Sequence, residues 1–267
     1  MNIYKREMRT KLVSAAIWSA SVFGIVILFM SVFSAFTQST DMIDMIMQNY
    51  PEELLQAFGM SGVDIGSVAG YFSMCLLFVQ LTLAVQSSIY GFSVLSEEER
   101  DMTADFLLTR PVTRTKVYFS KILASLTAMV ITWAATWGST FFNIEVFSGN
   151  KEYDPAIFVK MMAVIILFQL FFFSTGLVIS VILKKIRGVL AYAMSLAFGM
   201  YMISSIGSII REETLGYLTP FKYFEPNSLI IKGRYEPVML IICCSVIVAA
   251  MVSSYILYIR RNIHAAS

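Results

Sequence analysis

Side chains that could carry catalytic or metal chemistry are scarce in this chain of 267 residues. The single histidine, His264, lies close to the C-terminal end, so we expect no histidine base or histidine-ligated metal within a helical bundle. The three cysteines, Cys75, Cys243 and Cys244, fall inside apolar runs rather than at paired spacings in loops, and we interpret them as small packing residues. None of the 14 glycines forms a G-x-x-x-x-G-K-[ST] phosphate loop. We therefore expect neither an enzyme nor a metal site.

Three glutamines, Gln80, Gln86 and Gln169, lie within apolar runs whose other polar residues are mostly Ser and Thr. No Asp, Glu, Lys, Arg or His lies well inside these runs, although proton-driven transporters and ion pumps usually carry their coupling chemistry on such residues. The glutamines are candidates for a transport pathway. The alternative, which we favour, is that they form hydrogen bonds between helices.

The segment from Ser96 to Lys121 combines an acidic cluster with a basic turn. Ser96 and Glu99 have the spacing of a capping box, which predicts that a helix starts at Ser96. Pro111 restricts the residue before it and is expected to end this helix. Apolar residues recur between these points at helical spacing: Met102, Phe106 and Leu107.

So short a helix is marginal in water, and its apolar stripe should therefore dock on another surface. One interpretation is docking on lipid headgroups or on the base of the helical bundle, which also accounts for Arg110, Arg114 and Lys116. The other is docking on a cytoplasmic partner. Composition alone does not separate the two.

The candidate residues lie within or between long apolar runs, so the structure of these runs determines where the residues are placed. The chain is 57% hydrophobic and has only 38 charged residues, which is typical of a membrane protein. Six stretches of at least 23 residues contain no charge, and a 23-residue helix is about 35 Å long, enough to cross a hydrocarbon core of about 30 Å. We predict a single all-α membrane domain over residues 1–267 with six spans, at about 13–36, 69–95, 119–143, 158–183, 188–210 and 237–259.

The distribution of basic residues predicts the orientation. With both termini in the cytoplasm, 14 of the 20 lysines and arginines lie on the cytoplasmic side, as the positive-inside rule requires. At the N-terminus, Tyr4, Met8 and Leu12 recur every four residues beside four basic residues. This pattern predicts an interfacial elbow helix at about 1–12, and a simple positive-inside anchor is the alternative.

The residues Glu97 to Lys121, EEERDMTADFLLTRPVTRTKVYFSK, resemble the coupling loop of type-2 ABC transporter permeases. The resemblance implies that the coupling loop of this chain is 96–121. In that family an acidic cluster precedes a Gly-Thr pair, a Leu-rich helix, a Pro-Val-Ser/Thr-Arg turn and a Lys before the third span. Met102 and Ser120 stand where the family often has Gly. The matching residues are Thr103, Phe106, Leu107, Leu108, Pro111, Val112, Thr113, Arg114 and Lys121.

Two outer segments support the resemblance. Pro51 to Phe58 is predicted to form a capped external helix, with Gly59 at its end. Tyr217 to Ile231 looks like the family's external segment before the sixth span. The aromatic residues of this region are expected at headgroup depth: Tyr217, Phe221, Tyr223, Phe224 and Tyr235.

The resemblance implies the permease half of an ATP-driven exporter in the cell membrane, expected to be the bacterial cytoplasmic membrane. A separate ABC ATP-binding subunit would bind ATP and Mg, while this chain would bind no cofactor. Symmetry then favours two permeases, as a homodimer or a heterodimer, with membrane lipid around them and no nucleic-acid partner. The residues implied to couple to the ATPase are Glu97, Glu98, Glu99, Arg100, Thr103, Phe106, Leu107, Arg110, Pro111, Arg114 and Lys121.

The cargo stays open at this point. A pathway without buried charge suits apolar or amphipathic molecules, among them peptide antibiotics, drugs and lipids. The outer-loop methionines, which include Met42 and Met45, fit either soft-metal contact or an ordinary interfacial stripe. A six-span scaffold or regulatory protein without transport activity is the alternative function.

Overall fold

The computed structural model of the chain describes residues 3–38, 62–100, 113–149, 151–183, 188–210 and 212–260, with Ile186 and isolated positions between 45 and 60. All regular secondary structure in these residues is helical. The long helices are α1 (Ile3–Gln38), α2 (Val68–Arg100), α3 (Arg114–Phe147), α4 (Pro155–Ile182), α5 (Val189–Ile209) and α9 (Pro237–Arg260). Three short helices lie between α5 and α9: α6 (Glu213–Gly216), α7 (Pro220–Tyr223) and α8 (Pro226–Lys232).

The six long helices are each long and apolar enough to cross a membrane. This confirms the predicted all-helical fold with six spans. The first three are longer than a membrane requires, because α1, α2 and α3 contain 36, 33 and 34 residues. At about 1.5 Å per residue each exceeds a hydrocarbon thickness of about 30 Å. These three helices therefore extend out of the hydrocarbon.

The N-terminal region differs from the prediction of a separate elbow helix at 1–12. Residues 3–12 are the first turns of the continuous helix α1. The physical reason is that no Gly or Pro occurs between Ile3 and Phe23, so nothing in the sequence interrupts the backbone hydrogen bonds there.

Local sequence explains where several helices begin and end. The Asp154 carboxylate accepts a hydrogen bond of 2.8 Å from the Ala156 N–H, and Pro155 occupies the first turn of α4. Gly233 ends α8 with a φ of 69°, a left-handed conformation that glycine adopts without strain.

Helices α2 and α4 form the centre of the bundle. The most extensive helix contacts are those of α1 with α3 and of α2 with α4, followed by α4 with α9 and α2 with α5. In the most apolar window of α2, 67% of residues are buried, against 17% in α1 and α5 and 11% in α9. Helices α1, α5 and α9 therefore present apolar surface outward.

Small residues allow α2 and α4 to approach closely. A Cβ atom at Gly91 would lie 2.3 Å from the carbonyl oxygen of Phe173, and one at Gly176 would lie 3.2 Å from the carbonyl oxygen of Ser88. Glycine at these crossings is the usual solution for packed membrane helices.

Two smaller predictions can be compared with the structure. The Leu55 N–H bonds to the Pro51 carbonyl and the Phe58 N–H to that of Leu54, which is the helical spacing expected between Pro51 and Phe58. Cys75 and Cys243 are buried in helices as predicted, whereas Cys244 is exposed on α9.

Candidate functional site

The predicted coupling loop lies between the end of α2 and the start of α3. The structure corrects its beginning: α2 is helical through Arg100, so Ser96 lies inside this helix and does not cap a new one. The side chains of Ser96, Glu97, Glu98, Glu99 and Arg100 are not among those the structure describes. Residues 101–112 lie outside the described residues, and with them Thr103, Phe106, Leu107, Arg110 and Pro111.

Thr113 fixes the other end of the loop. Its backbone is extended, and its hydroxyl accepts a hydrogen bond of 3.4 Å from the Lys116 N–H. Such a residue satisfies one of the backbone donors that a helix leaves unpaired at its start. Helix α3 therefore begins at Arg114, five residues earlier than the predicted span.

Lys121 joins three helices directly below the loop. Its side chain is 3% exposed, and its Nζ donates a hydrogen bond of 3.3 Å to the Val94 carbonyl in α2. The same Nζ lies 3.8 Å from a carboxylate oxygen of Glu7 in α1. A buried ammonium group needs such partners, because burial without them costs several kcal/mol, on the order of the desolvation of one ion. Lys121 thus holds the last turns of α2 and the first turns of α1 against α3.

Lys11 forms a second buried contact between α1 and α2. Its Nζ donates a hydrogen bond of 3.2 Å to the Ser93 hydroxyl and lies 4.8 Å from the centre of the Tyr90 ring, within cation–π range. The Tyr90 hydroxyl donates a hydrogen bond of 3.0 Å to the Ser14 hydroxyl, also in α1. We call Glu7, Lys11, Tyr90 and Lys121 the basic junction.

The last span contacts α3 at the same end, through residues within two turns of Lys121. The Tyr118 hydroxyl lies 2.7 Å from the Ser254 hydroxyl in α9, and the Arg114 guanidinium donates a hydrogen bond of 3.5 Å to the Ile259 carbonyl. The start of α3 is therefore in contact with α1, α2 and α9. A displacement of the loop that precedes α3 would act on all three helices.

Two of the candidate pathway glutamines continue the polar contacts from the basic junction into the bundle. Gln86 donates hydrogen bonds through Nε2 to the Thr132 hydroxyl at 2.8 Å and to the Tyr90 hydroxyl at 3.4 Å. Its Oε1 accepts a hydrogen bond of 3.4 Å from Gln169. Gln86 and Gln169 are fully buried. The contacts of Gln86 with Thr132 in α3 and with Gln169 in α4 are hydrogen bonds between helices, and its contact with Tyr90 lies within α2.

The third glutamine, Gln80, has a different environment. Its Nε2 donates a hydrogen bond of 3.0 Å to the Phe224 carbonyl, which lies outside the long helices. Its Oε1 accepts no hydrogen bond from the described residues, and Gln80 lines a recess between α2, α5 and α7–α8. The structure therefore does not bring Gln80 together with Gln86 and Gln169.

Three of the aromatic residues expected at headgroup depth face the protein interior rather than its surroundings. Phe221, Tyr223 and Phe224 are buried, and only Tyr217 is strongly exposed. The Phe221 ring centre lies 5.1 Å from that of Phe168 in α4. Burial raises the pKa of Tyr223 to about 12. We call residues 217–235 the aromatic segment.

Sequence reasoning missed the roles of Lys11 and Tyr90. Lys11 is one of the four basic residues of the predicted interfacial elbow helix, yet it is only 8% exposed. One signal was present: Ser14 follows Lys11 by three residues, which places two polar side chains on one face of a helix otherwise bound for the membrane. That face packs against α2.

The chain matches a known protein family. The sequence model of a family described as ABC-2 family transporter protein matches residues 1–263, which is almost the entire chain. No curated protein matches the chain.

Proposed function

The chain belongs to the ABC-2 transporter family, and we propose that it is the membrane-spanning permease subunit of an ATP-driven exporter. In this proposal the helical bundle forms part of the cargo pathway, and a separate ATP-binding subunit binds ATP and Mg and supplies the energy. The chain itself catalyses no reaction. The coupling segment is 96–121, docked on the ATPase in the cytoplasm, and the membrane is the bacterial cytoplasmic membrane.

One observation supports the coupling role: Lys121, the last residue of this segment, links α1, α2 and α3. Movement of a docked subunit against residues 101–112 would pull on the first turns of α3, and Lys121 would transfer this displacement to Val94 and Glu7. Because Lys121 is buried, we assign it a positioning role rather than direct contact with the ATPase. Direct contact is assigned to the acidic cluster, the apolar residues around Phe106 and the basic turn.

The proposed assembly contains two permeases and two ATPases. Closed symmetry is the usual way in which identical or homologous subunits enclose a common axis. The chain offers apolar outer faces on α1, α5 and α9 for lipid and for a second copy. Both a homodimer and a heterodimer are compatible with this arrangement.

Co-purification with a soluble ATPase tests the partner. The chain, expressed with the ATPase encoded beside it and extracted in mild detergent, is expected to elute with that subunit. The variant Phe106→Ala should insert normally but lose the ATPase, because truncating a buried interface anchor commonly costs about 2 kcal/mol or more.

Phe142→Ala is the matched control, since Phe142 is an exposed phenylalanine at the far end of α3. It should retain the ATPase. Equal ATPase binding by both variants and the parent chain would remove 96–121 as the docking element. A fully active transporter assembled from this polypeptide alone would reject the whole proposal.

The orientation needs its own test, because docking requires 96–121 to face the cytoplasm. Single cysteines at Thr40 and Asn150 should react with a membrane-impermeant thiol reagent in intact cells. A cysteine at Thr113 should react only after the cells are opened. Labelling at Thr113 in intact cells would reverse the topology.

A further inference from the structure

A recess with a polar lining lies between α2, α5 and the short helices α7 and α8. Serine hydroxyls from two helices border it: Ser73 on α2 and Ser204, Ser205 and Ser208 on α5. It is separate from the basic junction, which forms where α1, α2 and α3 meet beside the predicted coupling loop.

The side-chain amide of Gln80 has an acceptor oxygen that lacks a hydrogen-bond donor among the described residues. The side chain is 1% exposed and held in place, because its Nε2 donates to the Phe224 carbonyl. Gln80 lines the recess, and its buried Oε1 accepts no hydrogen bond from the described part of the chain. A buried amide oxygen without a donor has lost its hydration without compensation, so a donor that reaches it from the recess is favoured.

The charge of the residues that line the recess also favours a hydrogen-bond donor. Glu225 is the only charged residue among the described residues that border the recess. Its carboxylate accepts a hydrogen bond of 2.7 Å from Lys222, and a carboxylate has lone pairs for further donors. An anionic group would be disfavoured by this carboxylate and by the Gln80 oxygen, whereas an ammonium or amide N–H can donate a hydrogen bond to either acceptor.

Apolar side chains complete the wall of the recess. Leu77, Phe221 and Pro226 lie beside the hydroxyl groups. An amphipathic molecule could therefore place its polar end against Gln80 while its hydrocarbon part lies along these residues.

We propose that this recess binds the hydrogen-bond-donating end, an ammonium or a primary amide, of an amphipathic molecule. That this molecule is the exported cargo rests on the proposed function, but its binding does not. The recess discriminates against amphiphiles that end in a carboxylate.

Cysteine protection tests the proposal on the full chain in lipid nanodiscs, without an ATPase. Cys244→Ala removes the exposed native thiol, and Ser205→Cys places a thiol in the recess. The reaction of this thiol with N-ethylmaleimide is followed in the presence of octylamine, octanamide or octanoate. Octylamine and octanamide should slow it several-fold and octanoate should not. A cysteine at the exposed Ser253 of α9 should be insensitive to all three.

Two variants and one control identify the side chains responsible for the protection. Gln80→Leu should raise the concentration of octylamine or octanamide needed for half protection about tenfold. Gln169→Leu, which removes a buried glutamine away from the recess, should leave it unchanged. Glu225→Gln changes only a partly exposed carboxylate and should weaken octylamine protection more than octanamide protection.

Equal slowing by all three amphiphiles would indicate simple partition into lipid and would overturn the proposal. No protection by any of them would mean that the recess holds only water, with the same consequence. Because the assay uses no ATPase, loss of ATPase co-purification would reject the proposed function and leave this result intact.

Discussion

The basic junction and the aromatic segment hold the two ends of the helix bundle by different means. At the basic junction two lysines are buried, and each reaches a polar atom of another helix. In the aromatic segment Phe221, Tyr223 and Phe224 are buried, whereas the ion pair that Lys232 forms with Glu236 lies at the surface, with side chains 54% and 42% exposed. Rings tolerate small displacements, whereas a buried ammonium group requires its partners. We therefore expect a displacement to be transmitted at the basic junction and absorbed in the aromatic segment.

The largest effect is expected in the aromatic segment. Phe224 is fully buried, and its ring centre lies 6.2 Å from that of Phe168 and 6.1 Å from that of Tyr235. Phe224→Ala should lower the free energy of unfolding in mixed micelles by about 3–5 kcal/mol, through lost packing and the cavity that remains.

Leu218→Ala, at an exposed position of the same segment, should change the free energy of unfolding by less than about 1 kcal/mol. Similar losses for both variants would contradict the view that ring burial holds this segment.

The next effect is at Lys121. Lys121→Met keeps most of the side-chain volume but removes the hydrogen bond to Val94 and leaves Glu7 without this cation. The expected loss of unfolding free energy is about 2 kcal/mol. Adding Glu7→Gln should recover part of it.

Lys116→Met is the control, since Lys116 is exposed on the same helix, and it should cost less than about 0.5 kcal/mol. A double variant of Lys121 and Glu7 that is no more stable than Lys121→Met alone would show that the ion pair is not what holds the basic junction.

A smaller effect is expected from the Tyr90 hydroxyl. Tyr90→Phe retains the ring beneath Lys11 but removes the hydrogen bonds with Ser14 and Gln86. We expect a loss of about 1 kcal/mol in the free energy of unfolding. A loss as large as that of Lys121→Met would mean that the hydroxyl contacts, rather than the lysines, dominate this end.

The smallest effect is expected from the exposed pair Lys232 and Glu236. The hydrogen bond from Lys232 lowers the pKa of the Glu236 carboxyl. A carboxyl with a lowered pKa stabilises the fold above its unfolded-state pKa, and this contribution disappears as the pH falls through the folded-state pKa. Lys232→Met should thus cost about 0.5 kcal/mol or less at pH 7.

The difference between the parent chain and Lys232→Met should shrink further when unfolding is measured below the lowered pKa of Glu236. A difference that grows on acidification would contradict the assigned role of this ion pair.

The contrast between the two ends was only partly predictable. Lys121 was identified by resemblance, but its burial and its partner Glu7 were not, since the two residues are 114 positions apart in the sequence (121 − 7). The capping-box pattern at Ser96 predicted a helix start wrongly, because a Ser followed three residues later by Glu also fits inside a helix. No Gly or Pro occurs between Phe92 and Arg100, so α2 continues through it.

The sequence by itself determined the six spans and the family, because run length and charge are local properties that the membrane selects directly. Six uncharged stretches predicted six helices, and the pattern from Glu97 to Lys121 indicated the family that the match over residues 1–263 establishes. Only the tertiary structure decided which polar groups meet. Lys11 and Phe224 carry the residue types expected at an interface, yet both are buried, because the helices packed around a side chain determine its surroundings.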